Sequence, residues 1–425
     1  MILVMLASFL LFVALGVPIA FSIGASSLIY ILAEGIPLSM MAQRFFSNTQ
    51  SFAFLAIPYF MLMGSFMVNA GIAQRLIKFA DSLVRHFPGG LGCVSVVTNM
   101  VMAGVSGSSV ADCAAVGSVL VPEMKRNGYD AKFAAALNSC TSVVGIIIPP
   151  SSTMIIISWL TNLSIARMFM AGAIPGILIS ISYFLVTIFI AKRRGYPQQS
   201  RATVKEIWDG IKSASLTLIL PIFLVGVIVL GIATVTEAAA ASAVYALILG
   251  LFVYRSLDFK LITKSLKEAV VGTTTVMLVV CTSSVFTWVL IREGIPVMIA
   301  NTLLSLGLPD WALKVVMVLI LFAAGTVMDN VPNLFIFIPI FFPIASQLGF
   351  DPIHFSIVIL ISLALGLFTP PVGTTLFLSC QLAEVKIEEA AKDLVPYFIA
   401  AAVIVFLVTF VPSLTLWLPN IILGK

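Results

Sequence analysis

Apolar stretches long enough to cross a hydrocarbon layer of about 30 Å recur from Met1 to Leu418, and they decide the class of structure before any motif is read. Of 425 residues, 60% are hydrophobic and 10% charged, where a soluble domain approaches a quarter charged, so no soluble domain has room to fold. The expectation is an all-α polytopic membrane protein. Helical spans are predicted near 2–16, 17–33, 51–70, 131–161, 165–191, 215–232, 234–254, 271–291, 352–382 and 396–418. The opening segment MILVMLASFLLFVALG lacks a basic leader and reads as a first short span. Cys93, Cys113, Cys140, Cys281 and Cys380 show no C-x-x-C spacing and read as small buried thiols.

Two further apolar blocks, 88–124 and 309–348, behave differently. Lys192, Arg193, Arg194, Arg201 and Lys205 form the densest basic segment, which the positive-inside rule places in the cytoplasm. Alternation then puts Arg75 to Arg85, Lys125 with Arg126, and Arg255 to Lys267 on the same side, provided that 88–124 enters and leaves there. That makes it a re-entrant hairpin, and both termini are expected to be periplasmic. Arg75, Lys78, Ser82 and Arg85 share one helical face, as do Lys260, Lys264 and Lys267, so both segments are expected to lie as helices in the headgroup plane.

The chain matches itself at one register. Gly104 aligns with Gly325, Pro122 with Pro343, Gly145 with Gly366, Pro149 and Pro150 with Pro370 and Pro371, and Pro175 with Pro396. Glycine and proline fix backbone shape, so this coincidence argues for two related halves. They are predicted as 1–191, with hairpin 88–124 and broken helix 131–161, and 215–425, with hairpin 309–348 and broken helix 352–382. A basic linker with an interfacial helix joins them over 192–214. Five crossings separate the hairpins, and an odd number inverts the second half. Inverted repeats with paired interrupted segments point to a secondary transporter with a midplane site.

In GIIIPPSSTM and GLFTPPVGTT two prolines remove amide donors, so carbonyls near Gly145 and Gly366 lose their helical partners. Within a membrane such groups are tolerable inside protein or around a cavity, and oxygens of this kind suit a hard cation such as Na⁺. The hairpin tips add Ser106, Ser108, Ser109 and Asp112 from GVSGSSVADCAA, and Asp329 and Asn330 from the second block. Both aspartates could instead cap helices. Arg292 could pair a substrate carboxylate or snorkel at the membrane edge beside Glu293. Glu237 most readily caps a helix, and His86 and His354 are not positioned for catalysis.

Taken together, AIPYFMLMG, GVSGSSVADCAAVGSVLVPEM, IIIPPSSTMIII, SIARMFMAGAIPG, TEAAA, MDNVP and FTPPVGTTLF resemble the large membrane subunit of tripartite ATP-independent periplasmic (TRAP) transporters. The resemblance runs from about Ala56 to Phe377. It implies an elevator-type fold in the bacterial inner membrane and Na⁺-coupled uptake of an organic acid anion handed over by a periplasmic substrate-binding protein. A small membrane subunit is implied as a separate chain. By motif, one Na⁺ site draws on Ser106, Asp112, Gly145, Ile148 and Pro150, and its counterpart on Gly325, Asp329, Gly366, Thr369 and Val372. The substrate is expected to meet Arg292, Ser108, Ser109, Asn330, Ser151 and Thr374. VLIREGIP looks more like sialic acid members than C4-dicarboxylate members.

No enzymatic role, organic cofactor or nucleic-acid partner is expected. Gly104-Val105-Ser106-Gly107 fits the G-x-S-G of an intramembrane protease, but the second hairpin carries no equivalent serine and His354 lies beside a turn. Breaks paired from opposite membrane sides suit alternating access better than a continuous pore. A one-component Na⁺-coupled anion carrier of the same plan is the alternative.

Overall fold

A computed structural model describes residues 1–305 and 307–424; Leu306 and Lys425, both within the expected second half, lie outside the described residues. Among the described residues the chain is helical throughout, with no strand. The first half opens with α1 (Ile2–Ala14), α2 (Ile19–Ala33), α3 (Leu38–Thr49), α4 (Ala56–Asn69) and α5 (Ile72–Val84). The first hairpin is α6 (Gly90–Ser106) and α7 (Ser109–Arg126), and the broken helix is α8 (Ala131–Ser142) and α9 (Ser152–Thr161). Then come α10 (Ile165–Arg194), α11 (Val204–Val229), α12 (Val235–Ile248), α13 (Phe259–Arg292) and α14 (Ile295–Ser305). The second hairpin is α15 (Asp310–Val327) and α16 (Asn330–Gln347), followed by α17 (Pro352–Gly366), α18 (Thr374–Ala383), α19 (Ile387–Phe410) and α20 (Ser413–Leu423).

Seven of these helices are long and apolar enough to cross a membrane, or eight if α4 and α5, bent by 69°, count as one span. That bend falls at Gly71 (φ 73°), between the two helices. Local chemistry sets the ends of several helices. Thr203 with Glu206 and Thr234 with Glu237 close capping boxes at the starts of α11 and α12, so Glu237 does cap. Lys192, Arg193 and Arg194 fill the last turn of α10, where cations complement the helix dipole.

Three boundaries differ from expectation. The basic segment at Lys260 is not a separate interfacial helix: it runs unbroken into α13, 34 residues long, because no proline falls between Phe259 and Arg292 and Gly272 stays helical. The linker has no separate interfacial helix either, since α11 starts at Val204 and continues as a span. The expected span 396–418 is α19, begun earlier at Ile387, and α20, separated by Pro412, whose ring stops the first helix.

Helix bounds in the two halves keep step. α7 (109–126) and α16 (330–347) differ by the same shift that aligns Gly104 with Gly325, and α9 and α18 differ by nearly that shift. The halves also interlock. α18 packs across α7 and α8, where Asn138 Nδ2 donates to Ser379 Oγ (2.9 Å) and to Cys113 O (3.1 Å), and Ser139 Oγ meets Thr375 Oγ1 at 3.2 Å. At the far ends of α10 and α19, Arg194 grips Asp393 with both terminal nitrogens (2.8 and 2.5 Å) and reaches Asp130 at 3.2 Å.

The tightest point is the crossing of α15 and α17. A Cβ on Gly366 would fall onto the backbone of Gly325, which cannot move aside as a side chain can. Gly366→Ala is therefore expected to lower stability by about 3 kcal/mol or more, whereas Gly226→Ala, with open space around its Cβ in α11, should gain up to about 1 kcal/mol. Thermal unfolding of the detergent-solubilised variants checks both; equal melting temperatures would remove the constraint assigned to the crossing.

Candidate functional site

The first hairpin turns over at Gly107 (φ 61°), a left-handed position that glycine adopts without Cβ strain. Ser108 then caps α7 by accepting from Ala111 N–H at 3.4 Å. This leaves Asp112, in the first turn of α7, free to fold its carboxylate back toward the end of α6. Ser106 Oγ donates to Asp112 Oδ1 and accepts from Ser108 N–H at 3.2 Å. Asp112 is wholly buried, and its second oxygen, Oδ2, has no hydrogen-bond partner.

That oxygen lies against Gly145. A Cβ there would collide with Asp112 Oδ2 and sit 3.3 Å from Ser108 O, so the absence of a side chain at Gly145 is what lets the carboxylate and the tip carbonyl approach the break. The helix breaks as expected: α8 ends at Ser142, a short tight turn covers Val143–Ile146, and Ser151 caps α9 while donating to Ile146 O at 2.8 Å. Pro150 O lies beside Gly107, where a Cβ would be 2.7 Å from it, so the proline turn is packed on the hairpin tip. Ser106, Ser108, Asp112, Gly145, Pro150 and Ser151 are thus brought together, with Ser109 buried alongside. Ile148 belongs to the same turn through its backbone, with its N–H on Val144 O (3.0 Å), while its side chain packs beside Gly176 of α10.

The second half is built differently. Gly325 and Gly366 are in backbone contact, Thr369 N–H donates to Gly366 O at 3.1 Å, and Val372 N–H donates to Thr326 O at 3.2 Å, which ties the proline turn to the tip. Asp329 caps α16 by position but makes no side-chain capping bond, and it is exposed, as is Val372. Asn330 is buried with neither amide atom partnered, and Thr374 Oγ1 is also buried and unpartnered. Both proline pairs, Pro149-Pro150 and Pro370-Pro371, contain a cis peptide. Arg292 is not brought to either tip: it is exposed at the end of α13 with its guanidinium 5.4 Å from the Trp288 ring, and its neighbour Glu293 accepts from Tyr30.

One residue escaped the sequence reading. Asn333, not Asp329, stands at the register of Asp112, and it is fully buried. Its amide donates to Met328 O (3.0 Å) and Ala324 O (3.2 Å), closing the second tip, while its Oδ1 has no partner. The repeat register, applied to Asp112 itself, would have found it. Among the described residues no three of His, Cys, Asp or Glu gather as metal ligands, so any cation here would be held chiefly by carbonyl, hydroxyl and amide oxygens.

The polytopic helical fold is shared with the Alcanivorax borkumensis YdaH transporter, on which it superposes with a TM-score of 0.61 over 88% of each chain, at 14% sequence identity. The chain belongs to the tripartite ATP-independent periplasmic transporter family, DctM component, whose model matches residues 6–414. It is 34% identical to the sialic acid TRAP transporter large permease protein SiaM of Vibrio cholerae over 96% of both chains. It is 36% identical to the C4-dicarboxylate large permease protein DctM of the same organism, over 96% of this chain and 95% of that one. The isethionate permease protein DctMQ of Oleidesulfovibrio alaskensis is 33% identical, and the match takes in 97% of this chain but 66% of that one.

Asn333 gives the site a direct structural test. Asn333→Leu keeps the branched shape and heavy-atom count but removes the amide donor from Met328 O, with an expected loss of about 1–3 kcal/mol in unfolding free energy. A chemical denaturation midpoint equal to that of the unsubstituted protein would show that the amide does not hold the tip.

Proposed function

We propose that this chain is the large membrane subunit of a Na⁺-coupled importer of an organic acid anion, working in the bacterial inner membrane with both termini in the periplasm. The reading rests on family membership and on one observation above the rest: a fully buried carboxylate oxygen, Asp112 Oδ2, without a partner and facing a helix break. An ionised carboxylate in that position needs a cation, and the nearby Ser108 carbonyl supplies a second hard oxygen. A Na⁺ bound there would be held by Ser106, Asp112, Gly145, Ile148 and Pro150. A second would use Gly325, Asp329, Gly366, Thr369 and Val372, with Asn333 as an added candidate.

The two halves are read as inverted repeats, supported by helix bounds that keep step at one register. Transport by elevator-like displacement of the paired hairpins and broken helices follows from that reading. The anion would be met by Ser108, Ser109, Asn330, Ser151 and Thr374, the unpartnered Asn330 and Thr374 being the best supported. Arg292 stays a contact only if the substrate approaches along the membrane edge. Sialic acid is the first substrate to test, but relatives named for sialic acid and for C4-dicarboxylates are about equally similar. A periplasmic substrate-binding protein and a small membrane subunit complete the assembly. The small subunit is proposed as a separate chain.

The test is uptake of labelled sialic acid into proteoliposomes holding this chain and its small subunit, with and without a Na⁺ gradient and a loaded binding protein. Uptake needing both is expected. Uptake with Na⁺ alone would favour a one-component carrier, and C4-dicarboxylate uptake in its place would reassign the substrate. Asp112→Ala and Asp329→Ala are each expected to reduce Na⁺-driven uptake to background while the protein stays monodisperse. Unchanged Na⁺ dependence in either variant would remove that residue from its site.

A further inference from the structure

A cavity of about 450 Å³ opens between the end of α10 and the start of α19, far from both proline breaks in the sequence. Phe189, Arg193, Arg194, Lys392, Asp393 and Pro396 line it. Three cations and one carboxylate therefore face it, and the carboxylate is already taken: Asp393 is held bidentately by Arg194. Arg193 and Lys392 have no ion-pair partner among the described residues, and both are exposed. Two uncompensated positive charges on one cavity repel each other unless an anion lies between them.

The surroundings say what kind of anion. The cavity lies beside the basic segment Lys192–Lys205, which marks the cytoplasmic membrane surface. From it, Ile177, Ile181, Leu185 and Phe189 form an exposed apolar stripe along α10, four residues apart, and Val395, Ile399, Val403 and Leu407 form a second along α19. α10 and α19 pack together, so both stripes lead from the cavity into the hydrocarbon. A charged head over two apolar tracks is the outline of a phospholipid. We propose that this cavity binds the headgroup phosphate of an anionic phospholipid, with its acyl chains along the two stripes.

Chemically the site reads phosphate through a guanidinium and an ammonium, with Arg194 fixed behind them by Asp393. The bound lipid would bridge α10 of one half to α19 of the other, at the same end as the Arg194–Asp393 ion pair. A free phosphate could satisfy the cations but would leave the stripes unused, and the experiment separates the two.

The full chain is reconstituted into nanodiscs of phosphatidylethanolamine with a minor fraction of phosphatidylglycerol, and the lipid retained after detergent re-extraction is quantified by mass spectrometry. The unsubstituted protein is expected to retain phosphatidylglycerol above its bulk fraction. Arg193→Gln and Lys392→Gln should each lower that enrichment roughly fivefold, and more in combination. Neither residue holds an ion pair, so the variants should fold. Lys192→Gln with Arg201→Gln, basic residues outside the cavity lining, should keep the enrichment. A loss as large in that pair would assign the effect to the general basic surface and overturn the proposal. Displacement of phosphatidylglycerol by millimolar inorganic phosphate would identify a free-anion site and overturn it too. So would absence of enrichment in the unsubstituted protein, which would leave the face to a protein partner.

Discussion

A backbone that breaks inside a membrane has to find partners for its freed amides and carbonyls, and that requirement organises this molecule. Two proline pairs end α8 and α17 part-way, and each broken helix is enclosed by its own hairpin and by elements of the other half. α18 threads across α7 and α8 through Asn138, Ser379 and Cys113, while α9 packs against α16 and α17. Neither half encloses its own breaks alone. The interlocking of the halves is therefore a consequence of the prolines as much as of apolar packing.

Within that frame the two breaks are not equivalent. The first gathers buried polar groups around a carboxylate oxygen that no donor satisfies, whereas the second brings two glycine backbones into contact and leaves Asp329 and Val372 exposed. Helix bounds around the two breaks keep step at one register, while the side chains around them differ. One cluster is closed around a carboxylate, and its counterpart is open and built largely of amides and carbonyls.

Much of this was legible in the sequence because prolines, glycines and charges act locally. Pro149-Pro150 and Pro370-Pro371 mark the breaks, Gly104 to Ala115 mark a tip, and Glu237 marks a helix start. What could not be read was set by distance in the fold. Nothing in VLIREGIP shows that Arg292 comes to rest over Trp288. Asn333, by contrast, lies within reach of the repeat register, and Asp329 draws notice in its place because it is an aspartate. The long α13 was missed because a basic stretch and an apolar stretch look like two elements, while helix geometry runs through both without interruption.

That helix has a mechanical consequence. At 1.5 Å per residue, its 34 residues make a rod of about 51 Å, well beyond the thickness of the hydrocarbon layer. Its basic first turns lie at one end, Arg292 and Trp288 lie at the other, and it packs against α2, α3, α4 and α16 along the way. A rod of that length cannot follow local rearrangements by bending at each contact. It turns any tilt imposed at one end into a lateral displacement at the opposite end, a lever kept straight because no proline interrupts it and its one glycine, Gly272, stays helical.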